Sequence, residues 1–364
     1  MSGRRRLIHL VASGVWGGAE RYALDVCRHF AMRGWSVSAY TRDAKAVDTL
    51  FQESGIDLRH APLQGLADPV TLRLLTSHFR AEAPGTIIHA HRYRDAFLAI
   101  AARKLARRPD LRIVATRHTV KSARDPHIFT KLYGAVDANI FVSELARKRF
   151  MSPWLESRSP FDPSRIHIIP NSLILNYAEP GPEPSKGPVI AMMHGRLIPG
   201  KGLEVLIDAL PRLRGLRTRM RIVGSGNPDY VDSLRRRAFS RGVSDMIDWF
   251  KYRTDVEHLI SESHFGVMPS VMPEAFGLPN IEYMAGGRPL ITTLNGAQCE
   301  YLTDGKEGLL VPPADAAALA DAMRCMATGP ELRSRMGLAA RARFLGELEW
   351  SKIAKKLENV YTSL

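Results

Sequence analysis

Short apolar runs alternate with longer amphipathic stretches through the first half of the chain. The apolar runs predict strands at residues 6–12, 35–41, 86–90, 111–116 and 138–142, and the amphipathic stretches predict helices at 18–33, 95–107 and 143–150. This alternation is typical of βαβ units, which build a parallel sheet covered by helices. We therefore predict one Rossmann-like domain over residues 1–175.

Residues 179–188 interrupt the pattern with prolines and glycines, which exclude a helix or a central strand there. A second alternation follows, with strands predicted at 189–194, 220–223, 247–250, 265–268, 289–292 and 308–311 and helices at 202–213 and 229–241. We predict a second Rossmann-like domain over residues 176–348 and a final helix within 349–364 that crosses back to the first domain. The predicted fold class is α/β, with two Rossmann-like domains that face a cleft and bind ligands beyond the carboxyl ends of their strands.

The formal charge of +14 is concentrated in the first half of the chain. Residues 1–175 hold 27 Lys and Arg against 15 Asp and Glu, and the remaining residues hold 24 against 22. This asymmetry favours a phosphorylated acceptor, an acidic lipid surface or nucleic acid as a partner, although a solvated basic surface has the same composition. No nucleic-acid-binding motif is visible, so no nucleic acid is predicted. The basic residues singled out beside Trp154 and upstream of it are Arg103, Lys104, Arg107, Arg108, Arg147, Lys148 and Arg149.

The cysteines and the apolar runs of the sequence indicate the cellular compartment. Cys27, Cys299 and Cys325 are far apart and form no Cys-x-x-Cys pair, so we expect reduced thiols in a cytoplasmic protein. The apolar run at residues 7–12 is too short for a signal-peptide core, and no stretch approaches the roughly 20 apolar residues of a membrane span. The basic first half also fits a peripheral position on the inner face of the cytoplasmic membrane.

The strongest chemical motif lies in the second domain, where seven residues separate Glu274 from Glu282. The pair follows a predicted strand and lies at the start of a helix, where unpaired N–H groups and a positive dipole end suit a phosphate. Carboxylates at such a position accept hydrogen bonds from sugar or ribose hydroxyls. For an isolated pair of glutamates the simpler interpretation would be that Glu274 favours the helix start and Glu282 is solvated.

A second element follows the first strand of this domain, at residues 194–202. Arg196 and Lys201 lie five residues apart in a glycine-containing loop that opens a helix. An Arg can bind two oxygens at once and a Lys acts as a point charge, so the two side chains can converge on a diphosphate.

The first domain contributes a glycine-rich loop and two histidine sites. Gly17 and Gly18 follow the first strand and allow close approach of a ligand, although such a loop is also a common packing solution. His89 and His91 share one strand face, but no third ligand with suitable spacing is visible, so no metal is predicted. His118 ends another strand.

The two motifs of the second domain resemble those of glycosyltransferase family 4, whose signature is two glutamates separated by seven residues. The resemblance implies that Glu274 approaches the hydroxyls of the transferred sugar and that Glu282 binds the ribose of the nucleotide. It also implies that Arg196 and Lys201 hold the two phosphates of the donor and stabilise the leaving nucleotide.

The same resemblance assigns the remaining donor contacts. It implies donor binding by Gly17, Gly18, Tyr252, Phe276, Gly277 and Leu278, the last three through backbone amides. His118 corresponds to the family's histidine against the transferred sugar, and His91 is a weaker candidate for that position. Lys251 stands where the family usually has a glycine near the nucleobase, which leaves the base open.

The resemblance to this family implies a retaining hexosyltransferase with a nucleotide-diphosphate sugar, UDP-sugar favoured, as its donor. The expected acceptor is a saccharide, phosphorylated or lipid-linked, in the synthesis of a surface glycan such as lipopolysaccharide core or capsule. No Asp-x-Asp motif for a metal-bound donor is present, so neither a metal nor another cofactor is expected. The alternatives are a glycan phosphorylase, for which no Schiff-base lysine is identifiable, a nucleotide-sugar epimerase, and a non-catalytic glycan- or nucleotide-binding protein.

Overall fold

The computed structural model describes residues 4–65, 68–123, 131–157, 162–175, 177, 184 and 187–364, without the side chains of 152–157. Contacts divide the chain into two units, Met1–Ile174 with Trp350–Leu364, and Leu175–Glu349. Most of the predicted linker at residues 179–188 lies outside the described residues. None of the described helices combines the length and the apolar character that a membrane crossing requires.

The first unit is built on a parallel sheet. Its strands are β1 (Arg6–Leu10), β2 (Ser36–Thr41), β3 (Asp57–His60), β4 (Ile87–Ala90), β5 (Arg112–Arg117), β6 (Ala138–Phe141) and β7 (Ile166–Ile168). Its helices with bounds among the described residues include α1 (Gly18–Met32), α2 (Lys45–Glu53), α3 (Pro69–Ala81), α4 (Tyr93–Ala106) and α5 (Glu144–Ser157). The strand order is β3-β2-β1-β4-β5-β6-β7.

The second unit repeats this design with six strands. They are β8 (Val189–His194), β9 (Thr218–Val223), β10 (Ile247–Phe250), β11 (Phe265–Met268), β12 (Leu290–Thr293) and β13 (Gly308–Val311). The helices are α6 (Leu203–Ala209), α7 (Pro228–Ser240), α8 (Val256–Ser261), α9 (Leu278–Ala285), α10 (Ala316–Thr328) and α11 (Pro330–Arg343). The strand order β10-β9-β8-β11-β12-β13 is again all parallel. The predicted α/β class with two Rossmann-like units is confirmed.

Each sheet reverses its strand order once. The reversal lies between β1 and β4 in the first unit and between β8 and β11 in the second. At such a point the loops that follow the two central strands run to opposite faces of the sheet and leave a crevice between them. The residues that follow β1, β4, β8 and β11 are therefore the ones placed to meet a ligand.

The last helix of the chain, α12 (Trp350–Ser363), belongs to the first unit. Its apolar residues recur at helical spacing and lie in one buried cluster with α1 and one face of the sheet. The members of α12 in this cluster are Trp350, Ile353, Ala354, Leu357, Val360 and Tyr361. A helix distant in sequence thus completes the core of the unit that begins the chain.

Three early elements were not predicted from the sequence, namely α2, β3 and α3. The reason for β3 is its position at the sheet edge, where Asp57 and His60 are exposed and no apolar run is required. Helix α3 begins with a recognisable signal, since Asp68 accepts a hydrogen bond from Thr71 N and Pro69 is its first residue.

We predict that Leu357→Ala lowers the free energy of unfolding of the first unit by about 2–5 kcal/mol, because the fully buried side chain leaves a cavity. Lys356→Ala, one residue away on the exposed face of α12, serves as the matched control and should change stability by less than about 0.5 kcal/mol. Urea unfolding monitored by circular dichroism measures both. Equal effects of the two substitutions would contradict the packing of α12 described here.

Candidate functional site

In the second unit, the loops after β8 and β11 meet at the reversal of strand order. The Lys201 ammonium lies 2.5 Å from Glu274 Oε1, and the Ser270 hydroxyl donates to the same oxygen at 2.6 Å. Both members of the ion pair keep about a fifth of their side chains exposed, 19% for Lys201 and 21% for Glu274. Two residues that the sequence assigned to one ligand are thus in direct contact, and a solvent-facing part of each remains available.

A close backbone approach holds these two loops together. The amides of Val271 and Met272 donate to the Gly200 carbonyl at 2.9 and 3.1 Å. Gly202 has a φ of +76°, and a Cβ atom there would lie 1.8 Å from the carbonyl oxygen of Pro269. The loop that carries Lys201 therefore requires glycine at position 202 for both its backbone conformation and its packing.

The start of helix α9 offers unpaired donors. The backbone N–H groups of Phe276, Gly277 and Leu278 make no hydrogen bond within the described residues. The carbonyl of Phe276 accepts a hydrogen bond from the Tyr301 hydroxyl, to which Asn280 Nδ2 donates at 3.0 Å, and these bonds fix the turn. Three oriented amides at the positive end of a helix dipole form a site for an anion.

Glu282 is buried rather than solvated, with 5% of its surface exposed. Its carboxylate lies 2.9 Å from His194 Nε2, and His194 Nδ1 lies 2.9 Å from the Tyr283 hydroxyl. Because that hydroxyl donates to the Met192 carbonyl, it accepts from His194, which fixes the imidazole ring. The simpler interpretation of Glu282 as a surface residue is therefore wrong, and His194 and Tyr283 are site residues that the motif alone did not reveal.

Two other residues predicted to bind the donor, Arg196 and Tyr252, make no contact with the Lys201–Glu274 pair. Arg196 is exposed and has no hydrogen bond or ion pair with any described residue. Tyr252 is 55% exposed, and its backbone amide donates to the Ser225 hydroxyl at 3.2 Å. No contact among the described residues joins either side chain to the Lys201–Glu274 pair. Arg196 is therefore a cation that has no partner among the described residues and that lies in the same loop as Lys201.

In the first unit, the glycine loop and the histidines follow β1, β4 and β5. Gly17 directly precedes helix α1 and Gly18 is its first residue. A Cβ atom at Gly17 would lie 3.0 Å from Glu20 Oε2, so a side chain at position 17 would crowd that carboxylate. Both glycines therefore lie at the crevice predicted for ligand contact, but no described contact identifies the ligand.

The histidines form a buried cluster with a member that the sequence did not reveal. His9 on β1 lies opposite His89 on β4, and His9 Nδ1 is 3.0 Å from His91 Nε2. His91 Nδ1 is 3.2 Å from His118 Nε2, whose Nδ1 is 3.4 Å from Asn171 Nδ2. Spacing in the sequence revealed no third ligand beside His89 and His91, whereas the fold places His9 next to both. The signal was the strand register, since equivalent positions of neighbouring parallel strands share a face.

His89 anchors this cluster to the last helix. Its Nδ1 lies 2.6 Å from the Tyr361 hydroxyl and its Nε2 lies 2.7 Å from Thr116 Oγ1. Burial lowers the pKa of His9 to about 3 and that of His118 to about 4. The same cause, strengthened by the neighbouring rings, places the pKa values of His89 and His91 well below the ordinary value. All four rings are neutral at physiological pH.

Several basic residues singled out in the first half are committed to ion pairs. Arg103 contacts Asp137 at 2.6 Å and Arg108 contacts Asp110 at 2.6 Å. Arg147 contacts Glu144 at 2.6 Å. Lys104, Arg107 and Arg149 remain exposed without such a partner among the described residues, and the side chain of Trp154 lies outside them. The basic surface is therefore smaller than the sequence indicated.

Asp95 in the first turn of α4 is fully buried, and neither carboxylate oxygen has a hydrogen-bond partner in the described structure. Burial raises the pKa of Asp95 to about 7, while the positive charges of Arg94, Arg92 and Arg42 act in the opposite direction. Arginines thus gather where β2 and β4 end, around a carboxyl group whose pKa burial raises to about 7.

We predict that Gly202→Ala is far more destabilising than Gly215→Ala, although both positions have positive φ, +76° and +89°. Gly215 has open space around its Cβ position, so only the left-handed backbone costs energy, about 1–2 kcal/mol. At position 202 the clash with Pro269 adds an overpacking cost, for a total of about 3–5 kcal/mol. Urea unfolding of the two variants measures the difference, and equal losses would contradict the close approach.

A second prediction concerns pH. Because the pKa of Asp95 rises from 3.8 to about 7 on folding, the folded state binds this proton more tightly, and stability falls as pH rises between those values. Asp95→Asn should match the parent at pH 4 and exceed its free energy of unfolding at pH 8 by about 2–4 kcal/mol. Denaturant titrations at both pH values measure this. The exposed Glu53→Gln is the control, and a pH-independent effect of Asp95→Asn would contradict the assignment.

Comparison with known proteins places both halves of the chain. Residues 16–176 match the model of glycosyltransferase family 4, and residues 178–343 match the model of the glycosyl transferases group 1. The glycogen synthase of Mycobacterium tuberculosis is 28% identical over 76% of this chain and 68% of its own length. A D-inositol 3-phosphate glycosyltransferase of Geodermatophilus obscurus is 25% identical over 96% of this chain and 86% of its own length.

Solved structures share the fold at low identity. Anabaena HepE, crystallised with UDP and glucose, superposes with a TM-score of 0.84 at 19% identity, over 99% of this chain and 100% of HepE. The lipopolysaccharide outer core galactosyltransferase WaaB superposes with a TM-score of 0.75 at 16% identity, over 99% of both chains. The two family models together identify the chain as a glycosyltransferase of the hexosyltransferase type, with a family 4 domain in its first half and a group 1 domain in its second, and the chain shares the fold of the GT-B glycosyltransferases.

Proposed function

We propose that this enzyme is a retaining, metal-independent glycosyltransferase that takes its sugar from a UDP-sugar. The observation that carries the proposal is the contact between Lys201 and Glu274 beside the three unpaired amides at the start of α9. A diphosphate needs cations and oriented N–H groups, and a sugar needs a carboxylate acceptor for its hydroxyls. The loops after β8 and β11 supply all of these within one unit.

Binding of the donor would exchange the partners of this ion pair. In the free protein Lys201 neutralises Glu274, which keeps a partly buried carboxylate from being left alone. A diphosphate that takes Lys201 as its counterion releases Glu274 to accept hydrogen bonds from the sugar hydroxyls. Arg196, which has no described partner, and the start of α9 would bind the remaining phosphate oxygens, and the buried Glu282 would accept from the ribose.

The reaction itself follows from where the charge develops. As the bond from the sugar to the diphosphate breaks, negative charge accumulates on the leaving oxygen, and Arg196, Lys201 and the helix dipole stabilise it in place of a metal ion. The acceptor hydroxyl then attacks the face from which the nucleotide departs, forming the new glycosidic bond and retaining the configuration. Its proton passes to the leaving diphosphate. We assign His118 to contact with the transferred sugar.

The donor nucleotide and acceptor class come from the relatives. HepE was crystallised with UDP and UDP-glucose, which supports a UDP-sugar donor here. The name of the Geodermatophilus relative supports a phosphorylated acceptor, and WaaB supports surface-glycan synthesis, as in lipopolysaccharide core or capsule. The cluster of Arg42, Arg92 and Arg94 would suit an acceptor phosphate. The exposed basic residues of the first unit would hold the enzyme at the inner face of the membrane, where lipid-linked acceptors are found.

Isothermal titration calorimetry with UDP, GDP, ADP and CMP, each with and without EDTA, tests the donor site. UDP should bind most tightly and equally well in EDTA. Lys201→Ala and Arg196→Ala should each weaken UDP binding on the order of tenfold to a hundredfold, because a charge-assisted contact contributes about 1.5–3 kcal/mol. Arg236→Ala removes the same charge from an exposed position of α7 and should leave the affinity unchanged.

The stereochemistry is tested with UDP-glucose and a panel of saccharide, phosphorylated and lipid-linked acceptors. Proton NMR of the product at early times should show the anomeric configuration of the donor, and Glu274→Gln should abolish turnover while UDP still binds. An inverted product would contradict retention. If none of the nucleotides binds at millimolar concentration, the donor-site proposal is wrong.

A further inference from the structure

The histidine cluster of the first unit contains an unbroken row of side chains, from Asn171 through His118 and His91 to His9. The three nitrogen-to-nitrogen distances along it are 3.4, 3.2 and 3.0 Å. The ring planes of His9 and His91 are 17° apart with centroids separated by 5.3 Å, and those of His91 and His118 are 24° apart with centroids separated by 5.4 Å, so the rings meet edge to edge. Both nitrogens of His91 and both of His118 are therefore engaged.

The charge state of the rings decides where their protons lie. Because burial keeps the rings neutral, each imidazole has one N–H donor and one bare nitrogen acceptor. The Asn171 amide nitrogen can only donate, so His118 Nδ1 accepts and the proton of His118 is on Nε2. His118 then donates to His91 Nδ1, and His91 in turn donates from Nε2 to His9 Nδ1.

The proposed direction has a cost at the far end of the row. His9 Nε2 must carry the proton of the last ring, and it is buried without a partner among the described residues. Reversing one ring alone would place two donors or two bare acceptors against each other at about 3 Å, at a cost comparable with leaving buried polar groups unpaired. The three rings can therefore change tautomer only together.

We propose that Asn171, His91 and His9 form a tautomer relay that holds His118 in one orientation with its proton on Nε2. His91 and Asn171 are positioning residues in this scheme, and the catalytic relevance rests on the proposed contact of His118 with the sugar. Since neither nitrogen of His118 is free, the ring contacts a ligand as a rigid neutral surface. It does not take up the proton of the acceptor, which agrees with a leaving diphosphate as the base.

A bound metal is the competing interpretation of the same residues. One ring nitrogen of each of His9, His89 and His91 lies within 4.8 Å of the others, which is close enough for three ligands of one ion. However, both nitrogens of His89 are already bonded, to Tyr361 and to Thr116. An ion would have to break one of those bonds and also one of the two hydrogen bonds of His91, to His9 or to His118. The hydrogen-bonded row needs no such change.

Nitrogen-15 NMR of the full chain labelled at histidine distinguishes the hydrogen-bonded row from a bound metal, because the chemical shifts of the ring nitrogens report the tautomer directly. In the parent protein at pH 7, His9, His91 and His118 should all show the Nε2–H form, unchanged by EDTA or by added zinc. The Nδ1–H form, a mixture of tautomers or a zinc-dependent shift of His9 and His91 would overturn the proposal. This measurement does not depend on any variant or on activity.

The coupling is tested with Asn171→Asp, whose carboxylate can only accept at pH 7. His118 Nδ1, which faces residue 171, must then carry the proton. His91 and His9 should switch to the Nδ1–H form together with His118. A switch of His118 alone would overturn the relay. In the double variant Asn171→Asp with His91→Phe, which keeps a ring but no hydrogen bonds, His9 should no longer respond. His258→Gln changes an exposed histidine of the second unit and is the control, because it should leave the tautomers of His9, His91 and His118 unchanged.

Steady-state kinetics distinguish a role of His91 in positioning His118 from a role in the stability of the fold alone. His91→Phe should lower kcat about tenfold with the KM for the donor unchanged, because a misplaced His118 affects the transition state more than donor binding. An unchanged kcat would overturn the positioning role. Failure of the proposed function would appear differently, as loss of UDP binding or turnover in the parent protein with the concerted tautomer response still present.

Discussion

The single reversal of strand order in each sheet is the constraint on which both candidate sites depend. In a parallel sheet, every strand ends at the same edge, and at the reversal the connecting loops diverge to opposite faces. The loops after β8 and β11 bring Lys201 to Glu274 across 73 positions of sequence. The same geometry in the first unit brings His9 to His91 across 82 positions.

The two sites treat charge in opposite ways. At the edge of the second sheet the charges of Lys201 and Glu274 are paired, and about a fifth of each side chain is exposed to solvent. In the first unit burial suppresses the charge altogether, and four histidines form hydrogen bonds as neutral rings. An imidazolium next to a sugar that acquires positive character would raise the energy of the transition state, so a neutral His118 is the form compatible with glycosyl transfer.

The sequence predicted the second unit better than the first. All six of its predicted strands occur within two residues of the observed ones, because each is a short apolar run, and the central strands β11 and β12 are buried throughout. Edge strand β3 was missed because it needs few apolar residues, and α2 because its short pattern lies between polar segments, whereas α3 was missed despite the start signal at Asp68 and Pro69. In the site, Glu274, Lys201 and the α9 start were visible as a motif. His194, Tyr283, Asn171 and His9 were not, since each acts through a partner far away in sequence.

By itself, the sequence determined the alternation of strands and helices, the two-unit organisation and the spacing of the residues that resemble family 4. These properties are local, because period, turn chemistry and motif spacing are set by neighbouring residues. Only the tertiary structure decided which distant residues are in contact. It buries Glu282 against His194, and it pairs several arginines of the first unit with acidic residues. Burial, charge state and tautomer depend on what surrounds a side chain in space. The order of residues along the chain does not show these surroundings, because the neighbours come from distant segments that only the folded structure brings together.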